Sequence, residues 1–378
     1  MVDIREFEGL RITYPEEFCT KPYDVISEKE AIELRKNPRS AIHIILPTGK
    51  GEEKYENARK AYENFRKDML KDPPSIYLYQ EKSKEFSQRG FIICASLLDY
   101  ENGKIKKHEE TREEPLKDRM KIIEKLKVQT GLVWTVFKKN KELKKMMDKI
   151  MKENPLTSFE KYGYEQRLWG VEEVEEIKEL FLPLDLYIAD GHHRMAASWY
   201  YFKKYGGEKA RYAMVFSAND DEVRILPYNR VIRKAKKDFL EEIKKDFEIE
   251  EMDKIEEPKK HEIQIYWNKK WWKIIPKEIP DDVVASLDVS ILHDKIITPV
   301  FGIKDVRKDP NIFFVGGKMS REEYEKLVDE EGNDLVFYLH PTSIYEVEVV
   351  ADAGKIMPPK STWFDPKLLT GLVFYELV

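Results

Sequence analysis

Leu184-Asp185-Leu186-Tyr187-Ile188-Ala189-Asp190-Gly191-His192-His193-Arg194-Met195-Ala196-Ala197-Ser198 is the stretch on which the reading of the fold turns. Residues 184–189 are apolar apart from Asp185 and read as a short buried strand. From His193 onward the chain reads as a helix, ended by Gly206-Gly207. A strand that feeds a helix through a glycine turn leaves free backbone N–H groups and the positive end of the helix dipole above the turn. Such a turn suits an anion.

On both sides of this stretch, apolar runs alternate with amphipathic helical ones, which is α/β or mixed α+β grammar, and no repeat or low-complexity tract interrupts it. Ser27-Glu28-Lys29-Glu30 is a capping box opening a helix that stops before Pro38, and Ala41–Leu46 is expected as a strand. Residues 52–70 predict a longer helix, and Ser75–Gln80 with Phe86–Leu98 a hairpin before the turn at Asn102-Gly103. Pro115–Lys127 predicts a helix leading into a strand at Leu132–Phe137, and Lys139–Glu153 and Val171–Leu180 two more helices. Further on, a charged helix is expected at 236–247 and a Trp-rich hairpin at 262–275, turning at Asn268. The domains are read as 1–100, α/β elements packing on the core; 101–235, the core with the glycine turn; and 236–378, an α/β lobe that forms a second body.

A chain of 378 residues with 42% hydrophobic content has material for a sizeable core and about two domains. Its 66 basic and 71 acidic residues interleave to a formal charge of -5, which gives no footing for nucleic acid. Charged residues make up 36%, mostly Lys and Glu, a balance that suits ion-pair networks at high temperature and is read as thermophilic. Cys19 and Cys94 have no CxxC spacing and are read as two buried thiols of a reducing cytosol. No window approaches the roughly 18 apolar residues of a membrane span, and residues 1–14 have no apolar leader core, so a cytoplasmic monomer or homodimer is expected.

Within the turn, Gly191 permits a positive φ or close backbone approach, Arg194 can grip phosphate through two N–H groups, and Asp190 can hold a divalent cation or orient an imidazole. Those parts suit phosphoryl transfer. The plainer alternative is an Asp N-cap followed by two histidines in local hydrogen bonds. A zinc site is disfavoured, because adjacent histidines on one helical turn diverge and no HExxH or CxxC accompanies them.

Strand, Asp190-Gly191-His192-His193-Arg194, then helix resembles the phosphate-binding box of the ParB/sulfiredoxin-like superfamily, which includes ParB nucleotide switches, sulfiredoxins and free serine kinases. Sulfiredoxins carry a cysteine where this chain has His192, so the thiol their chemistry needs is missing. More of the chain is similar to a large, uncharacterised bacterial and archaeal family related to the serine kinases. The matching stretches are Lys21-Pro22-Tyr23-Asp24-Val25-Ile26-Ser27, His108-Glu109-Glu110-Thr111, the glycine turn, Pro227–Arg230, Leu287–His293 and Met357-Pro358-Pro359-Lys360-Ser361-Thr362.

The resemblance implies a kinase that phosphorylates the hydroxyl of free L-serine, with ATP, ADP or pyrophosphate as donor and Mg²⁺ at Asp190. It implies a glutamate base upstream of the box, for which Glu109 is chosen, with Glu110, Glu113 and Asp118 as alternatives. Serine's hydroxyl is a weak nucleophile, so such a base is needed. Asp190 and His193 are expected to join Glu109 in catalysis, and Gly191, His192, His193, Arg194, Thr111, Lys360, Ser361 and Thr362 to hold the donor. Lys360-Ser361-Thr362 lacks the upstream glycines of a P-loop, and a structural turn is its alternative.

Tyr23, Asp24 and Arg230 are expected at the substrate, although Asp24 can equally cap a turn. Asp288 and His293 share no helical face and are read as residues that support the site from behind or are structural, and Trp267, Trp271 and Trp272 as packing residues. The rival classes are a ParB-like nucleotide switch without kinase activity and a metal-dependent hydrolase using Asp190, His192 and His193.

Overall fold

The computed structural model describes residues 1–171, 174–253 and 256–378. It is a mixed α+β structure that divides into two units, Met1–Val223 with Pro366–Val378, and Arg224–Asp365.

The first unit is built on one large mixed sheet. The strand Leu186–Asp190 runs parallel to Ile105–Lys106 and antiparallel to Val133–Phe137. Val133–Phe137 is parallel to Tyr212–Asn219, and the long antiparallel strands Ser87–Ser96 and Met69–Lys82 follow. Alternating buried residues of these strands, among them Leu78, Phe91, Val133 and Ile188, pack against Leu143 and Met147 of the helix Lys141–Ile150 and Ile177 of Val174–Phe181. The C-terminal strand Phe374–Glu376 pairs with Phe7–Ile12 and Val128–Gln129, which ties the last residues into this sheet. Residues 1–100 therefore share a sheet with residues 101–223, and 366–378 belong with them, unlike the three consecutive segments expected from sequence.

Sheet packing is tight enough at Gly90 to exclude a methyl group. A Cβ there would stand 2.4 Å from the Ser217 carbonyl oxygen and 2.7 Å from the Phe216 ring. Gly90→Ala is expected to cost about 1–3 kcal/mol, the usual range for overpacking. A melting temperature equal to wild type would mean that the neighbouring strand gives way.

The second unit holds a six-stranded antiparallel sheet in the order 247–251, 270–276, 263–267, 335–339, 228–232, 312–316. Its core gathers Val231, Tyr266, Trp271, Tyr324 and Val336. The helices Arg321–Asp329 and Ile344–Asp352 each start with a capping box, Ser320 with Glu323 and Ser343 with Glu346.

Three expectations are corrected. Ala41–Leu46 is not a strand but the short buried helix Ile42–Ile45. The helix expected over 236–247 is only Phe239–Ile243, because Phe247–Glu251 is taken up by antiparallel pairing with 270–276. Val171 closes a strand, Tyr164–Val171, and the helix begins at Val174; residues 172 and 173 lie outside the described residues. Among the described residues no helix is long and apolar enough to cross a membrane. Cys19 and Cys94 are both buried free thiols.

Candidate functional site

The strand Leu186–Asp190 delivers Asp190 to its C-terminal end, after a register shift between Ile188 and Asp190 of the kind that re-aims a side chain. Gly191 follows at φ 91°, a conformation that a side chain strains, and is the N-cap of the helix His192–Tyr205. Gly191 has no side chain with which to cap that helix, so the first-turn N–H groups need another partner. Sequence and structure agree closely on this local geometry.

Asp190 is the electrostatic hinge of the loop. One carboxylate oxygen accepts from the Lys367 ammonium at 2.5 Å and the other from Nη2 of Arg194 at 2.6 Å. Burial opposes ionisation, but Lys367 and Arg194 outweigh it and hold this carboxyl down at about 2. Arg194 also donates from Nη1 to the Leu132 carbonyl, while its Nε is buried without a partner among the described residues. Lys367 had no signal in the sequence, since it lies 177 residues from Asp190 and sits in no recognisable motif.

The three histidines around the loop are kept neutral. His192 is 4% exposed, stands edge-on to His108 at 4.7 Å between ring centroids, and is pushed well below the ordinary histidine value by burial and then by His108. His108, also buried, is lowered to about 4. Nε2 of His192 lies 3.5 Å from the His108 N–H, and its Nδ1 lies 3.7 Å from a Glu109 carboxylate oxygen. Nε2 of His193 accepts the Arg112 N–H at 2.9 Å, which places its proton on Nδ1, and burial followed by the Arg112 charge lowers its pKa. With Asp190 ionised and the histidines neutral, Asp190, Arg194 and Lys367 leave one net positive charge at the mouth of the helix.

Of the acids considered as a base, half-exposed Glu109 stands next to the loop. Asp118 is committed elsewhere, to Lys54 at 2.6 Å, the Tyr55 hydroxyl at 3.1 Å and Arg119. Glu113 pairs with Lys117 on the helix surface, and Glu110 is exposed. Thr111 is half-buried in the same segment.

Tyr23 lies under the Arg119 guanidinium at 4.0 Å, and burial and then the Asp24 charge raise its hydroxyl to about 12. Asp24 is exposed, and its charge also acts on His193. Tyr23, Ile122, Val133, Arg194, Ser198 and Thr370 line a cavity of about 40 Å³ at the base of the loop, the size of a few waters.

Arg230, Lys360, Ser361 and Thr362 belong to the second unit. There Nη2 of Arg230 donates to the Lys360 carbonyl at 3.1 Å, and the Thr342 hydroxyl donates to that of Ser361 at 3.0 Å.

The residues at the loop do not suit a magnesium ion held by Asp190, because each of its oxygens already carries a cation. Among the described residues no group of three or more His, Cys, Asp or Glu side chains is arranged to hold a metal. What the site does offer is a net-positive, helix-terminal cradle with a neutral imidazole donor and a carboxylate at its edge, the equipment of an anion-binding loop.

Fold and loop together define an α+β protein with a strand–glycine–helix turn that carries a net positive charge. The chain belongs to the family described as Protein of unknown function (DUF1015), whose model matches residues 4–290. Among curated proteins none matches it. Three solved structures are similar at low identity. A free serine kinase in complex with AMP is 15% identical, with 72% of this chain and 86% of that one covered and a TM-score of 0.37. SbnI with a C-terminal truncation, from Staphylococcus aureus, is 11% identical, with coverage of 74% and 85% and a TM-score of 0.40. A conserved hypothetical protein from Pyrococcus furiosus is 16% identical, with coverage of 72% and 90% and a TM-score of 0.36.

Proposed function

We propose that this chain is a small-molecule kinase with a ParB/sulfiredoxin-like core, transferring a phosphoryl group to the hydroxyl of free L-serine. The observation that carries the reading is the Asp190 clamp: a largely buried carboxylate aims Arg194 and Lys367 beside the N-terminus of a helix whose N-cap, Gly191, has no side chain to cap it. Such a cradle stabilises phosphate oxygens through backbone N–H groups and fixed positive charge.

In this mechanism Glu109 takes the proton of the serine hydroxyl. The serine oxygen forms the new bond to phosphorus as the bond to the donor's bridging oxygen breaks, and the leaving phosphate stays on the N–H groups of residues 192–194. His193 donates from Nδ1 to the transferred group, and His192 orients Glu109. Thr111 contacts the donor, and Tyr23 and exposed Asp24 receive the serine ammonium. The donor is ATP, ADP or pyrophosphate, and magnesium would be held by its phosphate oxygens rather than by Asp190, offsetting their charge.

The test incubates purified protein, Mg²⁺ and L-serine with each donor separately and reads O-phosphoserine by mass spectrometry. One donor is expected to give product, and Glu109→Gln to lower the rate about a hundredfold or more. Silence with all three donors alongside retained nucleotide binding would replace the kinase by a nucleotide-binding switch.

A further inference from the structure

The second unit buries a cation that has no counter-ion among the described residues. Arg230 is 5% exposed, and its partners among the described residues are all neutral: the carbonyl oxygens of Tyr228 and Lys360 and the Phe314 ring, 5.2 Å from Cζ. The other buried arginine, Arg119, is paired with Asp118, and the largely buried Arg11 and Arg89 are paired with Asp72 and Glu222. An unpaired buried charge is costly, which is why it is ordinarily matched by an opposite charge from the protein or from a ligand. Burial alone brings this guanidinium down to about 9, and no neighbouring charge acts to restore it.

The segment that meets Arg230 is shaped rather than slack. Lys360 sits at φ 60°, an uncommon conformation for a residue with a side chain, and its carbonyl is turned onto Arg230. The turn is pinned on both sides, by the Ser361 hydroxyl donating to the Pro358 carbonyl at 2.6 Å and by Thr342 donating to the Ser361 carbonyl. The exposed Lys360 side chain leaves the same turn, with Nζ 4.8 Å from the Tyr228 ring centroid, and Tyr228 is itself stacked on Trp363 at 5.5 Å. A backbone strained and pinned in this way brings a second, exposed cation to the turn that meets the buried one.

We propose that Arg230 and Lys360 form an oxyanion site of the second unit, which takes a phosphate or carboxylate group of a small ligand against the Tyr228–Trp363 stack. Arg230 keeps its Nε and the second N–H of each terminal nitrogen for that group, and Lys360 closes over it from solvent. The site stands without the kinase reading, because every residue in it lies in Arg224–Asp365.

Equilibrium dialysis of the full chain with labelled inorganic phosphate and, separately, labelled malonate tests this in an Arg194→Gln background, which removes the guanidinium of the other anion site. One equivalent of phosphate or of malonate is expected to bind, and whichever binds tells phosphoryl from carboxylate. Adding Arg230→Gln should weaken that binding at least about tenfold, and adding Lys360→Ala should weaken it severalfold. Binding of neither probe in the Arg194→Gln chain, or binding unchanged by Arg230→Gln, overturns the proposal. If Arg230→Gln fails to fold by circular dichroism, Lys360→Ala decides, and an unchanged affinity there overturns it as well.

Discussion

Replacing Asp190 by alanine is expected to destabilise the first unit by about 3–5 kcal/mol, the cost of removing one member of a buried ion network. The carboxylate satisfies two cations at once, and each of the three side chains is only 13–15% exposed. Its loss leaves Arg194 and Lys367 adjacent, like-charged and poorly hydrated. Removing one of those cations as well should return part of the stability, so Asp190→Ala/Lys367→Met is expected to be more stable than the sum of the single variants by about 1–3 kcal/mol. Urea unfolding at pH 7 reads both numbers. A single-variant loss below about 1 kcal/mol would mean that water reaches the cations freely, as at a surface ion pair.

Acid adds a second handle on the same residue. Its folded value of about 2 lies below the ordinary carboxyl value of 3.8, so its contribution is complete above that value and is lost as pH falls through 2. The loss amounts to about 2 kcal/mol. Asp190→Asn should lack this acid dependence.

Much of the loop was legible because its signals are local. An apolar run, one glycine and a helical run fix the strand end, the positive φ and the helix start within a dozen residues. The hairpin at 263–276 was legible for the same reason, with Asn268 at φ 51° in the expected turn. Ala41–Leu46 misled because three isoleucines favour a strand in isolation, whereas tertiary packing buries Ile42, Ile44 and Ile45 from a short helix. The lysine–glutamate run at 236–247 has helix propensity throughout, but Phe247–Glu251 gains more from pairing with the strand beside it.

The partners of the site were the least legible part. Lys367 reaches Asp190 only because Phe374–Glu376 pairs with Phe7–Ile12 and brings the C-terminal residues back into the first unit. No periodicity announces a pairing across the whole length of a chain. His108 was visible next to Glu109, but its burial against His192 follows from the strand at Ile105–Lys106 running beside Leu186–Asp190, a parallel pairing across about eighty residues.

Asp288→Asn is expected to stabilise the second unit above neutral pH, by up to about 4 kcal/mol, and to flatten its pH dependence. Asp288 opens the helix Asp288–Leu292, and its oxygens accept the His261 backbone N–H at 3.0 and 3.1 Å and Nδ1 of His261 at 3.0 Å. Burial pushes its carboxyl up to about 7, the Glu346 charge adds to this, and the His261 N–H, His340 and Lys260 oppose it. Glu346 is itself paired with Lys260 at 2.9 Å. His261, lowered by burial and then by Lys260, is neutral and donates rather than pairs as an ion.

A folded value above the unfolded one means that the folded state binds the extra proton, so this contribution is complete below about 4 and is lost as pH rises through 7. Asparagine keeps an acceptor for His261 and has no proton to lose. Hydrogen exchange of second-unit amides at pH 5, 7 and 8.5 separates the outcomes. Protection that falls across this range in wild type and stays level in Asp288→Asn supports the assignment, whereas parallel slopes in the two proteins would show that Asp288 is ionised throughout and that the stretch Leu287–His293 owes its pH response to another group.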